Sequence, residues 1–319
     1  MVVNKAITFK RPYYWANRIF SLKHDVIKNS DEVYNTYFFG SSHVYRHIDP
    51  VKFDLHSNDN TKSFNFATGS TRSEESIYLI ENLLKDDKIR LNTKYIFIEL
   101  APINYTKKVK TYYASRHWYY LNLETVWSSL KEKRDIKRAY KTLCLLGLKH
   151  ICFNNNLFDR KAKYCNKHIK EEIKLKHGYV SLDTEYKIEI EECEPHSLSY
   201  QNHTLRRRKE FKKLISQNGF NAVKKDIFYN RDYDSYTLDK IIALTKNEDL
   251  KHIEFIITMP LKSKSIPIAQ KIEGISLLGL TQNQKEKLVT QNQMFDRGHF
   301  NDKGSKKYTQ VIASNFNKR

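Results

Sequence analysis

No stretch of eighteen consecutive apolar residues occurs in the 319-residue chain, so no transmembrane helix is predicted. The opening segment, MVVNKAITFKRPYYWANRIF, has neither an apolar h-region nor a small-residue cleavage site. The expected location is therefore the cytoplasm, with peripheral association at a membrane surface left open. Cysteine is sparse. Cys144, Cys152, Cys165 and Cys193 form no CxxC pair, so neither a disulfide framework nor a zinc site is expected. Also missing are a zinc finger, a glycine-rich P-loop and an RNP-type aromatic motif. The net charge of +20, with a cluster TLRRRKEFKK at 204–213, draws polyanions by charge alone. Without those motifs a nucleic-acid partner is the disfavoured reading. What the chain does hold is 40% hydrophobic and 13% aromatic residues, ample for a sizeable core. Its length fits one large α/β domain or two smaller ones.

Strand and helix signals alternate in two outer blocks. In the first, NTYFFGSSHVYRHIDP contains a buried strand at Tyr37–Phe39 that stops at Gly40 before helix-capping serines. KSFNFATGS predicts a second strand ending near Ala67. STRSEESIYLIENLLKDD predicts a helix capped by Ser73, and KYIFIELAP a third strand from Tyr95 to Leu100. In the last block SYTLDKIIALTKNEDL is an amphipathic helix, KHIEFIITMP a strand over Ile253–Thr258, and NDKGSKKYTQVIASNF a turn into the closing helix. This grammar predicts a mostly parallel sheet covered on both faces, with ligands beyond the carboxyl ends of the strands. Residues 1–33 read as an N-terminal extension and 34–319 as the α/β domain. Residues 105–232, rich in Tyr, Lys and Asn, read as an insertion or lid. Within it VWSSLKEKRDIKRAYKTLCLLGL and TLRRRKEFKKLISQNGF are predicted helices, and YVSLDTEYKIEIEE a hairpin or exposed strand.

Chemistry-bearing residues gather at the ends of these blocks. Ser41 and Ser42 follow the first strand at the entrance to a helix, where free backbone N–H groups and the helix dipole favour negative charge. Ser42 there is either an N-cap or a nucleophile. Asp296 and His299 lie on the loop entering the last helix. They read either as its polar approach or as an acid and a base for Ser42. His43 and His47, four apart, suit a metal only with a third ligand such as Asp49 or Asp54; otherwise they line the pocket mouth or face solvent. The ASRHWYY segment around His117 offers either sugar-stacking surfaces or plain packing. Glu99 either tunes the cleft or marks an exposed strand edge.

Taken in order, these segments resemble the SGNH/GDSL hydrolase superfamily, in the divergent branch with polysaccharide O-acetyltransferase-like proteins. Gly40-Ser41-Ser42 resembles the family's Gly-Asp-Ser block, with serine in place of its aspartate, and IDPVKFD downstream also resembles that branch. FNFATGS resembles the second block and Asp296-Arg297-Gly298-His299 the last. The third block departs: IELAPINY stands where the family has a Gly-x-Asn-Asp segment. The resemblance covers roughly residues 34–104 and 234–316. It implies a three-layer, flavodoxin-like sandwich with a large middle insertion. It further implies a catalytic set of Ser42, His299 and Asp296. The implied oxyanion hole comprises the N–H groups of Ser42 and Gly69, with Asn65 or Asn104 as the remaining donor.

The implied activity is serine-dependent acyl transfer on an ester without cofactor or metal. The enzyme would be an esterase, a deacetylase or an O-acetyltransferase. Its partners would be an acyl ester donor and a carbohydrate or cell-surface polysaccharide. The alternatives are a catalytically silent SGNH-fold protein that binds glycan or assists its assembly, and a basic nucleic-acid-binding protein.

Overall fold

Short runs of three to five residues, most of them apolar, form the strands of this computed structural model, and nearly all of the strand side chains that are described are buried, as strands covered on both faces require. The structure describes residues 18–69, 71, 73–100, seven helical positions between 126 and 144, 166–188, 198–227, 235–261, 269–272 and 275–319. The chain divides into two compact units, Met1–Ser21 with Asn104–Ala162, and Leu22–Ile103 with Lys163–Arg319. Residues 22–33 and 163–232 fall in the same unit as the sheet. Of the first unit, positions such as Trp127 and Tyr140 are helical and exposed.

The elements are α1 (Arg18–Lys28), β1 (Thr36–Phe39), α2 (Ser42–His47), α3 (Pro50–His56), β2 (Ser63–Asn65), α4 (Ser73–Leu83), α5 (Asp87–Asn92) and β3 (Tyr95–Glu99). After these come α6 (Asn166–Leu175), α7 (Leu182–Lys187), α8 (Leu198–Ile227), α9 (Ser235–Thr245) and β4 (Glu254–Thr258). The last are β5 (Ala269–Ile272), β6 (Ile275–Leu278), α10 (Gln282–Leu288) and α11 (Asp302–Phe316). Among the described residues the strands form one six-stranded sheet in the order β2-β1-β3-β4-β6-β5. All neighbours are parallel except β5, which runs antiparallel to β6. β2 lies on one side of β1 and β3 on the other, so the winding reverses between β1 and β3. Such a reversal leaves a crevice at the strands' carboxyl ends.

Alternation along β1 divides the aromatic core between the two faces. Phe38 and Phe97 meet Phe53 of α3 and Phe316 of α11, with ring centres 5.0–5.4 Å apart. On the other face Tyr37 and Phe39 meet Phe66. There α4 and α9 pack on each other and on β3 and β4, completing a three-layer α/β sandwich. The closing helix docks because Tyr308, Ile312 and Phe316 recur on one buried stripe. Among the described residues no helix is long and apolar enough to cross a membrane.

Three elements differ from the sequence reading. The expected hairpin over 179–192 is helix α7 where it is described. Ser181 caps it by accepting the Thr184 N–H, and Leu182 and Glu185 on the same face are buried. Local capping and a helical buried stripe outweigh the apparent alternation. The antiparallel pair β5–β6, absent from the reading, extends the sheet beyond β4. The helix predicted around 204–220 is longer, Leu198–Ile227, and is broken at Gly219 (φ 72°), a conformation glycine adopts without Cβ strain.

Candidate active site

The β1-to-α2 joint is built so that only glycine fits at its first position. A Cβ on Gly40 would lie 2.6 Å from both Glu99 Cβ and Val44 Cγ2. The chain therefore passes directly over the end of β3. Ser41 caps α2 through its hydroxyl, which accepts the His43 N–H, and its own N–H donates to Glu99 Oε2 at 2.6 Å. The N-cap is thus Ser41 rather than Ser42. Ser42, the first residue of α2, projects its hydroxyl away from the capping network.

Glu99 is not at an exposed edge. It is 2% exposed, and its second oxygen lies 3.4 Å from His43 Nδ1, an ion-pair distance. Burial would raise its carboxyl, but the bonds from His43 and Ser41 prevail and hold it below the usual range. An ionised Glu99 therefore anchors the turn that carries Ser42.

The second half of the site comes from the loop before α11. Asp296 Oδ1 accepts the N–H groups of Gly298 (2.7 Å) and His299 (3.0 Å), closing a side-chain-to-backbone ring over the Asp-x-x-His spacing. The N–H groups of Phe295 and Asp296 both turn back to the His299 carbonyl. The segment NDKG, read as a turn, is a cap plus a first helical turn: Asn301 accepts the Gly304 N–H, and the helix starts at Asp302. The helix lies against the loop, since a Cβ on Gly304 would collide with the Gln293 carbonyl.

The two halves meet. His299 Nε2 lies 2.9 Å from Ser42 Oγ, across 257 residues of sequence, and His299 Nδ1 lies 3.0 and 3.1 Å from the two oxygens of Asp296. A carboxylate only accepts, so Nδ1 carries the ring proton and Nε2 faces the serine as an acceptor. Asp296 is 2% exposed and His299 6% exposed. Burial pulls His299 down to about 4 against the opposing pull of Asp296, so its imidazole is neutral at pH 7. Burial would raise Asp296, but His299, Arg207 and the Gly298 N–H together hold it well below the usual carboxylate range.

Two more histidines frame this one. His43 stacks on His299 with ring centres 5.4 Å apart, and His47 stands edge-on at 5.8 Å. His47 neither faces solvent nor lines a mouth: it is 1% exposed, and its Nε2 accepts the Phe300 N–H at 3.1 Å. Burial keeps it neutral, with His43 and His299 acting in the same direction. It ties α2 to the loop of Asp296 and His299. Among the described residues no group of three or more His, Cys, Asp or Glu is arranged to hold a metal ion.

The candidate oxyanion donors fare differently. The Asn65 amide is committed elsewhere. Its Nδ2 donates to the carbonyls of Val44 (3.0 Å) and Ile48 (2.8 Å), and its Oδ1 accepts the Ala67 N–H, so it joins β2 to α2 structurally. Asn104 and His117 lie outside the described residues. Gly69 stands in the turn after β2, and a Cβ there would meet nothing within 4 Å. That turn is supported from below. The buried Lys23 donates to the Ala67 carbonyl at 2.5 Å and sits over the Tyr45 ring, and burial drives its ammonium well below the ordinary lysine value. Beside it, Arg46 of α2 and Glu185 of α7 form a buried ion pair.

Sequence reasoning missed Arg207. It stands in the basic run of α8, read as surface charge, and its Nη2 lies 3.1 Å from Asp296 Oδ2. The neighbouring arginines also meet carboxylates: Arg206 at Glu210 and Arg208 at Asp183. A run of three arginines signals charge, but nothing in it tells which one turns inward. Two surface cavities lie elsewhere, one walled by His24, Tyr34 and Asp86 and the other by Leu91, Tyr95 and His252; neither includes Ser42 or His299. Comparison of the chain with family models, curated proteins and solved structures finds no match.

Proposed function

We propose that the protein transfers an acyl group through Ser42. It acts as a serine esterase or deacetylase, or as an O-acyltransferase, on a carbohydrate ester, using a divergent SGNH-like, flavodoxin-like fold. One observation carries this reading: the unbroken chain Ser42 Oγ, His299 Nε2, His299 Nδ1, Asp296, with each link at 2.9–3.1 Å. The winding supports it. The sheet order begins 2-1-3-4, and Ser42 stands at the reversal between β1 and β3, where doubly wound sheets bind ligands.

The reaction runs in two halves. Neutral His299 accepts the Ser42 hydroxyl proton as Oγ attacks the ester carbonyl carbon. The N–H groups of Ser42 and Gly69 receive the developing oxyanion. His299 then protonates the departing alcohol oxygen, leaving Ser42 acylated. Water or a sugar hydroxyl gives its proton to His299 and attacks the acyl carbon. Ser42 departs and takes that proton back. Water as the acceptor makes an esterase, and a sugar hydroxyl makes an acyltransferase.

The silent glycan-binding reading has one observation in its favour. The Asn65 amide is committed to the carbonyls of Val44 and Ile48 rather than to an oxyanion. The nucleic-acid reading is weaker, because Arg206, Arg207 and Arg208 each face a carboxylate. A fluorophosphonate probe tests the proposal. It is expected to label the folded protein, and Ser42→Ala to abolish the label. Absence of both labelling and ester turnover in folded protein favours the silent reading instead.

A further inference from the structure

The Asp296 carboxylate has one partner from outside its own loop among the described residues, and that partner comes from α8. Oδ1 is occupied by the N–H groups of Gly298 and His299 and by His299 Nδ1, while Oδ2 is shared between His299 Nδ1 and Arg207. The same guanidinium lies 3.4 Å from His299 Nδ1. It cannot donate there, because Nδ1 already carries a proton toward Asp296, and arginine has no acceptor. At that distance the guanidinium repels any second positive charge on the ring. Arg207 thus stabilises the ionised acid and opposes the protonated base.

Its place is set by the residue beside it. Arg208 lies over the Phe295 ring at 4.6 Å and meets Asp183 Oδ1 at 3.5 Å. The other oxygen of Asp183 accepts the Asp302 N–H at the start of α11. Consecutive arginines therefore grip the loop on two sides, one at Phe295 and one at Asp296. Arg207 keeps a third of its side chain exposed (37%) while covering a carboxylate that is 3% exposed. Among the described residues the other charged or titratable groups facing His299 are Asp296 on its own loop and His43, His47 and Arg46 on α2.

We propose that Arg207 is a positioning residue of this site: from α8 it pins Asp296 and lowers the proton affinity of His299, so the segment between β3 and β4 sets how acidic the medium can become before the base is lost. The consequence for catalysis rests on the acyl-transfer reading; the effect on His299 does not.

The two are tested separately. Ring-nitrogen NMR of His299 is recorded at pH 5 in the wild type and in Arg207→Gln, Arg207→Met, Arg207→Lys and Arg206→Gln. Removing the adjacent charge raises the His299 midpoint by about one pH unit or more. From a wild-type value of about 4, the protonated fraction at pH 5 then rises from roughly a tenth to roughly half. Arg207→Lys restores the charge and brings the signal back toward wild type. Arg206→Gln removes an equal charge from an exposed position paired with Glu210 and leaves His299 unmoved. The acid limb of fluorophosphonate labelling shifts upward with the NMR midpoint in Arg207→Gln. An unchanged His299 signal in both charge-removing variants, or an equal shift in Arg206→Gln, overturns the proposal. A wild type that never labels overturns the acyl-transfer reading and leaves the NMR result to decide on Arg207.

Discussion

Asp296→Asn reverses a hydrogen-bond polarity while barely changing shape. The asparagine Oδ1 keeps the N–H groups of Gly298 and His299, which now bond Asp296 Oδ1 at 2.7 and 3.0 Å. Its Nδ2 then takes the place of Oδ2, facing His299 Nδ1 and the Arg207 guanidinium. Both of those are donors. The imidazole resolves the conflict by moving its proton to Nε2, the nitrogen 2.9 Å from Ser42 Oγ, where it can no longer accept the serine proton. The lost stabilisation of the imidazolium can be sized from the 3.0 Å separation. At an effective dielectric of about 20, two unit charges at that distance attract by about 5 kcal/mol. That corresponds to a rate loss of about 10⁴-fold, the size seen when the acid of such a set is neutralised. The assay is the second-order rate of fluorophosphonate labelling, with the denaturation midpoint as a check on folding. A folded Asp296→Asn protein that labels within tenfold of wild type would refute the reasoning, since neither tautomer nor charge would then matter.

Two further outcomes follow from the same geometry. His299, held at about 4, and His47, held well below its ordinary value, are neutral in the fold and free to charge when unfolded at about 6.5. The unfolded state therefore binds more protons as pH drops below 6.5. Stability falls with pH by up to about 1.4 kcal/mol per unit for each histidine. Urea titrations at pH 7 and pH 5 should differ by about 2–4 kcal/mol, and equal midpoints would contradict the neutral assignment. Gly40→Ala drives a Cβ to 2.6 Å from Glu99 Cβ and Val44 Cγ2. It should cost about 2–3 kcal/mol by overpacking and slow labelling by displacing Ser42. A stable Gly40→Ala protein with wild-type labelling would show that the close passage over β3 does not matter.

The strands were legible because a parallel sheet covered on both faces leaves no polar alternation to confuse the signal. TYFF, YIFIE and FIIT can scarcely be anything else in a chain this polar. The last helix was legible from its amphipathic spacing, but its Asn301 cap was not, because NDKG has the composition of a turn. The β5–β6 pair was not, because AQKI mixes polar and apolar residues and gives no strand signal for ISLL to pair with. Residues 179–187 misled because apolar and polar residues alternate there while Ser181 supplies the cap that turns them helical.

At the site, the local pieces were legible along the chain. Gly40 and Ser41 make a glycine-then-cap joint after a strand, and Asp296 three residues before His299 makes a ring of backbone bonds whatever lies opposite. Those follow from short-range sterics and hydrogen bonding. Which pieces face each other depends on how distant elements pack. The winding reversal between β1 and β3 exposes the Ser42 turn, and packing of α11 against α3 delivers His299 to it. The same packing spends Asn65 on α2, buries His47 as a tie and turns Arg207 rather than Arg206 onto Asp296. Such assignments depend on the register and rotation of whole elements, which a local pattern of residues does not encode.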